Sequence, residues 1–327
     1  MKQMPRSLNR NNENTVVIRV GHENHTDASS TIPSHYSPDH TPRKKSVTHD
    51  FDTPPPTLEE IPILVDIMLH EPVNSEDSLN AIHKLFTLTT LENKHNRIPM
   101  VSSGKYDVLA PLCQYLIRGS PDDGDGRHFV CMTLNNLSIP NPNKKIMVLG
   151  PTAQSVLGAL CKVISEDKEE AYLCCICLLN LSLLEDTMDV VLQYSPGRMK
   201  FLPLQNPKSL IRILENILNT YSPTTPNDLE GIRWATGLLK NLSTSKENAR
   251  LISQTDIPSR ITETLRQVTT PSERWGNNSL EEFSLLCILN LAQWASAKRI
   301  LIRVGALDVL KDTLPEHEYK KLNIHFP

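Results

Sequence analysis

"LNNLS" (residues 134–138) lies inside an apolar run, and its order of Leu, Asn and Leu returns as "LLNLS" (178–182), "LLKNLS" (238–243) and "CILNLA" (287–292). One polar residue at a fixed place in four apolar stripes marks an internal repeat. Aligned on the second Leu, the copies fall at Leu137, Leu181, Leu242 and Leu291, with a degenerate earlier copy at Leu88 in "LFTLT". The intervals are 49, 44, 61 and 49 residues. With loops expected at 119–126, 195–206, 221–228 and 269–278, they reduce to the roughly 40–47 residues of a two- or three-helix solenoid unit. Five such units suffice to share a continuous core.

The copies agree in detail. Six residues before the Asn stand Val130, Cys174, Ala235 and Ser284, with Ala81 at the matching place in the first unit. These small or modest side chains permit close helix approach. Two before it stand Leu134, Leu178, Leu239 and Ile288, with Leu85 in the first unit, so one helical face carries a constant apolar stripe. Apolar positions three and four apart predominate from Thr57 onward, β-branched alternation is scarce, and "SPDDGDG" (120–126), "IPNPN" (139–143), "SPG" (195–197) and "YSPTTPND" (221–228) read as turns. The expected fold class is all-α.

Residues 1–56 have a different texture, rich in Asn, His, Ser, Thr and Pro and ending in "FDTPPPT", with no apolar period that could build a core. They are expected to be a disordered tail, residues 57–315 the repeat domain, and 316–327 a C-terminal tail. Within the first tail "TVVIRV" (15–20) could pair with a partner's sheet edge. Ser37, Thr41 and Thr53 each precede Pro and Ser46 follows "RKK", which makes the four candidate phosphorylation sites. "PRKK" (42–45) is a candidate weak nuclear signal.

The stretch 57–315 resembles an armadillo-repeat domain. In that family a short first helix ends at Gly, a second opens with Gly and an apolar stripe, and a third ends in an Ala-Leu-x-Asn-Leu pattern. "RILIRVGALDVLKDTL" (299–314) is similar to the first two helices and "EEFSLLCILNLA" (281–292) to the third, while "IPILVDIML" (61–69) resembles an isolated second helix that opens the stack on a partial repeat. The resemblance implies a right-handed α-solenoid of about five repeats whose third helices line a concave groove. It further implies that Asn136, Asn180, Asn241 and Asn290, with Thr87 as a weaker rung, offer amides to the backbone of an extended peptide. An amide carries donor and acceptor together, which suits that task. The alternative is that each Asn bridges neighbouring helices and holds the stack in register.

Importin-alpha-like members place Trp four residues before the Asn. Here those places hold Met132, Ile176, Gly237 and Leu286, with His83 in the first unit, so stacked-Trp slots for lysine are not expected. Seven before the Asn lie Phe129, Leu173, Trp234 and Phe283. They are either a greasy groove suited to an apolar or amphipathic segment or a wide core stripe. Trp234 is the candidate exposed anchor. Arg233, Lys240 and Lys246 could meet an acidic partner, or simply be solvated.

Other classes find little support. A net charge of −3 gives no concentrated basic surface for nucleic acid. The longest apolar stretch, "YLCCICLLNLSLL" (172–184), is shorter than the ~20 residues of a membrane span. No secretory h-region opens the chain, which points to the cytoplasm or nucleus. Neither phosphate-loop, HExxH, GxSxG nor paired-carboxylate patterns occur. "HENH" (22–25) has no second pair. The seven cysteines lack a CxxC pairing and are expected as reduced core residues, with no metal and no cofactor. A thiol nucleophile at Cys174, Cys175 or Cys177 would need a distant His and would be raised in pKa by its apolar surroundings. The sequons at Asn136, Asn180 and Asn241 sit inside expected packed helices. The chain is therefore expected to be a non-enzymatic scaffold or adaptor for a protein segment. The alternative is a regulatory subunit that docks a globular partner through the loops at 195–206 and 221–228, with a cysteine-dependent enzyme a distant third.

Overall fold

The computed structural model describes residues 55–166, 169–194, 209–269, 278–314 and 316. The four candidate phosphorylation sites, "TVVIRV", "PRKK", "HENH", the expected loop at 195–206, most of that at 269–278 and most of the C-terminal tail lie outside them.

Among the described residues every regular element is helical. In chain order the helices are α1 (Ile61–His70), α2 (Glu76–Thr87), α3 (Arg97–Ser102), α4 (Leu109–Arg118), α5 (Gly124–Leu137), α6 (Asn141–Leu149), α7 (Ala153–Glu166) and α8 (Ala171–Leu181). They continue with α9 (Glu185–Gln193), α10 (Leu210–Thr220), α11 (Pro226–Leu242), α12 (Lys246–Ile252), α13 (Ile257–Thr269), α14 (Asn278–Ala292), α15 (Ala295–Arg303) and α16 (Ala306–Thr313).

Local chemistry sets several of these ends. Ser75 caps α2 by accepting a hydrogen bond from the Ser78 amide, and Glu76 and Asp77 follow in the first turn. Thr225 caps α11 in the same way, with Pro226 at the first helical position. The expected turn at 221–228 is therefore partly a helix start, and its Thr-Pro-Asn-Asp is a capping signal. The expected turn at 120–126 is also shorter than its composition suggests: a 3-10 turn covers Pro121–Asp123 and α5 begins at Gly124. Gly126 serves approach rather than turning, because a Cβ there would run into the Tyr115 hydroxyl, which itself donates to Asn74 Oδ1 at 2.9 Å. Between α15 and α16, Gly305 takes the left-handed conformation at φ 76° that the first-to-second-helix corner requires.

The helices stack in three layers. Third helices α2, α5, α8, α11 and α14 pack consecutively, as do second helices α1, α4, α7, α10, α13 and α16. First helices α3, α6 and α9 pack in series, and α12 packs on α15. The result is an all-α solenoid of four three-helix units between two partial ones, α1–α2 and α15–α16. Its core is the stripe read from the sequence: Leu85, Leu134, Leu178, Leu239 and Ile288 are fully buried, and so are Ala81, Val130, Cys174, Ala235 and Ser284. All seven cysteines are buried and free.

Long cations tie the second layer together at helix ends. Arg118 donates to the carbonyls of Met68 at 2.7 Å and Leu69 at 3.2 Å, at the end of α1. Lys162 reaches back likewise to Gly119 at 3.1 Å and Leu116 at 3.4 Å, at the end of α4. Each places positive charge where the preceding helix presents its negative pole.

Candidate functional site: the open face of the third helices

Counting from the repeated Asn, the third-helix positions that keep solvent access most regularly are those one, seven and eight residues before it; the Asn itself and the place four before it are partly exposed at Met132, Asn136, Leu286 and Asn290 but buried at Ile176, Asn180, Gly237 and Asn241. These are spaced along one helical face.

The Asn side chains are used between repeats. Asn136 Nδ2 donates to Thr89 Oγ1 at 3.2 Å, Asn180 Nδ2 to Ser138 Oγ at 3.1 Å and to Asn135 Oδ1 at 3.1 Å, and Asn241 Nδ2 to Ser182 Oγ at 3.1 Å. Thr89, Ser138 and Ser182 each follow the aligned Leu of the preceding unit. Their hydroxyls donate in turn to a carbonyl three residues back: Phe86 at 2.8 Å, Asn135 at 2.6 Å and Leu179 at 2.8 Å. A Ser or Thr is needed because it must accept from one repeat while donating within its own. Asn290 departs from the pattern and donates to the Lys240 carbonyl at 2.9 Å, while Trp294 Nε1 donates to the Ser243 carbonyl at 3.2 Å. In the last unit the relay position is Ala292.

This relay is the feature that residue-by-residue reading passes over. Its signal is the Ser or Thr after the second Leu, visible in the very pattern that mimics a glycosylation sequon. Thr87 makes no rung of this kind: its hydroxyl donates to the His83 carbonyl at 2.9 Å, within its own helix.

The aromatic positions divide into two clusters. Phe129 lies 5.3 Å from Phe86 and 5.0 Å from His83 between ring centroids, across α2 and α5. Trp234 lies 6.1 Å from Phe283 across α11 and α14. Between the clusters Leu173 and Ile176 are buried, so the row is interrupted at α8. Phe129, Trp234 and Phe283 are all half-buried. Trp234, expected as an exposed anchor, is instead held from within the protein: its indole N–H donates to Glu230 Oε2 at 2.8 Å and the Arg233 guanidinium lies 4.6 Å over its ring. Phe283 sits in a notch opened by Gly237, where a Cβ would stand 2.9 Å from both the Phe283 ring and Leu179.

The basic residues differ among themselves. Arg233 is paired with Glu230 at 3.0 Å. Lys240 places its Nζ 5.3 Å from the centre of the Phe283 ring, and loss of water there lowers its pKa. Lys246 opens α12 and is exposed. His128 of α5 meets the buried Glu170 at 2.9 Å, just before α8. Burial raises the thiols of Cys161, Cys177 and Cys287 to about 12, and those of Cys113, Cys174 and Cys175 also upward. Among the described residues no group of three or more His, Cys, Asp or Glu is arranged to hold a metal, and no single helix is long and apolar enough to cross a membrane.

Neither a family model nor a curated protein matches the chain. Solved structures do, at low identity. Two engineered helical-repeat proteins match with TM-scores of 0.57 at 15% and 16% identity, over 81% and 80% of this chain and 56% and 93% of theirs. A chain from a structure described as "A conserved phosphorylation switch controls the interaction between cadherin and beta-catenin in vitro and in vivo" matches with a TM-score of 0.60 at 14% identity, over 81% of this chain and 52% of that one. This chain thus spans about half the length of that chain and of the first engineered protein. At such identities the likeness is one of fold: the protein is a helical-repeat solenoid similar to these structures.

Proposed function

We propose that the chain is an armadillo-type scaffold that holds a polypeptide segment along the open face of its third helices. One observation carries this: half-buried aromatic side chains, Phe129 and Phe86 at one end and Trp234 and Phe283 at the other, lie on a face whose backbone is locked repeat to repeat by the Asn relay. Rigid aromatic surface is what interface energy concentrates on, and a prelocked frame lowers the ordering cost of binding. Asn180 and Asn241 each spend both Nδ2 donors on the preceding unit and Asn136 spends one, so recognition falls on the side chains around the ladder. The likeness to an armadillo structure solved in the context of a protein–protein interaction supports the same reading.

The test is selection from a displayed library of linear peptides on the full chain, followed by solution affinity measurement. Enriched peptides should lose at least about tenfold in affinity when Phe129 and Phe283 are both changed to Ser, roughly the cost of removing one good aromatic contact. Equal binding by that double variant, or no enrichment at all, would remove this face as the binding surface.

A further inference from the structure

The two ends of the stack are finished differently. Contacts between α5 and α8 show which third-helix places face a neighbour. Cys174 Sγ, six before its Asn, donates to Cys131 Sγ, five before its own, at 3.6 Å, and Cys177 Sγ, three before, donates to the Leu134 carbonyl at 3.6 Å. The place five before the Asn thus looks toward the following unit, and the place three before it toward the preceding one.

At the amino end the backward place has been made polar. It holds Thr133, Cys177, Leu238 and Cys287 in the later helices, all fully buried, but Lys84 in α2. Lys84 pairs with Glu60 at 3.3 Å, and Glu60 in turn accepts from the Thr57 amide at 2.8 Å. Asp77 and Asn80 of α2 are exposed beside it. This is the polar outer face that a terminal unit needs in water.

At the other end no such exchange is made. The forward place holds Ile82, Cys131, Cys175 and Thr236, none more than 1% exposed, and then Leu285 in α14, which is only half-buried. Twelve residues after the Asn stand Val148 of α6 and Leu192 of α9, both buried, the half-buried Ser253, and finally Ile302 of α15, which is 41% exposed. Leu289 and Leu314 are half-buried as well. Apolar side chains therefore remain where a following unit would cover them.

We propose that residues 317–327 of the same chain lie across this open end, from α16 toward α14, and seat their apolar side chains on Leu285, Leu289 and Ile302. Each unit runs first, second, third, so the partial unit α15–α16 is followed in the chain by the place of its missing third helix. The segment that stands there, "HEYKKLNIHFP", lies outside the described residues and carries Tyr319, Leu322, Ile324 and Phe326 among its eleven. Its reach suffices: eleven residues span up to about 36 Å, against roughly 20 Å for two helix diameters. Charge agrees with the path. α14 and α16 carry four acids, Glu281, Glu282, Asp308 and Asp312, against the one cation Lys311, and the segment brings Lys320 and Lys321. The cations Lys298, Arg299 and Arg303 of α15 leave Ile302 at the edge of that path. A tethered segment also meets the face at about millimolar effective concentration, which favours it over a second copy. The surface is the end of the stack and not its open groove, so this assignment stands apart from the polypeptide-binding reading above.

The test places a photoreactive benzophenone side chain at Phe326, and separately at Leu322, in the full chain, and maps the cross-links by peptide sequencing. Both should join α14, α15 or α16 of the same molecule, and Leu285→Asp should suppress the product. Cross-links between molecules, with a mass that doubles as concentration rises, would overturn the segment in favour of a second copy. Cross-links to Phe129 or Trp234 would overturn the end assignment by placing the segment in the groove. A second measurement changes Tyr319, Leu322, Ile324 and Phe326 together to Ser, which leaves every described helix intact. Amide hydrogen exchange in α14 and α16 should then quicken by about tenfold or more while α2 and α5 keep their rates. Unchanged exchange in α14 and α16 would overturn the proposal. None of these outcomes bears on the groove, which the Phe129→Ser/Phe283→Ser variant tests separately.

Discussion

The repeated Asn shows how a residue's partner, and not its place in a pattern, decides its work. Asn180 is buried and its amide nitrogen makes two hydrogen bonds, to Ser138 and Asn135 of the preceding unit; Asn241 makes its own to Ser182. Truncating either to Ala strands buried hydroxyl or amide oxygens, at a cost of about 1–3 kcal/mol. Changing both should lower the urea-unfolding free energy by roughly 2–5 kcal/mol, whereas Asn136, with one bond and partial exposure, should cost less. Leu239→Ala, at a fully buried position of the constant stripe, should cost ~2–5 kcal/mol by the same measurement. The stripe was legible in the sequence because helical period and burial are one signal. The Asn role was not, because a ligand-facing amide and a register-holding amide need the same spacing. What separates them is an acceptor more than forty residues earlier in the chain, Ser138 for Asn180 and Ser182 for Asn241.

Among the helices, glycine does two different jobs that composition alone merges. Gly305 turns the chain at φ 76°, and the resemblance placed it correctly at a helix corner. Gly305→Ala should destabilise by ~1 kcal/mol, read as earlier proteolysis within α15–α16. Gly126 and Gly237 instead admit a neighbour: Tyr115 at the first, Phe283 and Leu179 at the second. The second is why the place of the missing Trp on α11 is filled by a ring from α14. Gly237→Val should displace Phe283 and reduce affinity for a peptide selected on the parent, while far-ultraviolet circular dichroism keeps its helical signature. A sequence pattern carries the helix periods and caps, but which helix leans into which notch depends on pairs such as Gly237 and Phe283 that meet only after stacking.

The whole stack also has a chemical limit set by its thiols. Cys161, Cys177 and Cys287 are held near 12 by burial, against about 8.5 in an unfolded chain. Since the folded value is the higher one, their contribution is whole below about pH 8.5 and is lost as the pH climbs toward the folded value, by ~1.4 kcal/mol per unit for each thiol. Urea midpoints should therefore fall steeply between about pH 9 and 11, and Cys177→Ala should make that slope shallower by about one proton even though it lowers stability at neutral pH. The native thiols should resist alkylation at pH 7.5 and react at once in denaturant.

The relay also has a direction. Every donor Asn belongs to a later unit and every hydroxyl that receives it to an earlier one, from Thr89 to Ser182, and at the last third helix the receiving position is Ala292. A ribosome extrudes the chain from its amino end, so each acceptor emerges before the side chain that will find it. A new unit meets a finished template, and no early unit waits with a stranded amide for one still to be made. Assembly during synthesis can thus run as a one-way zipper, and a relay of the opposite sense, with each Asn reaching forward, would leave each amide exposed until its successor arrived.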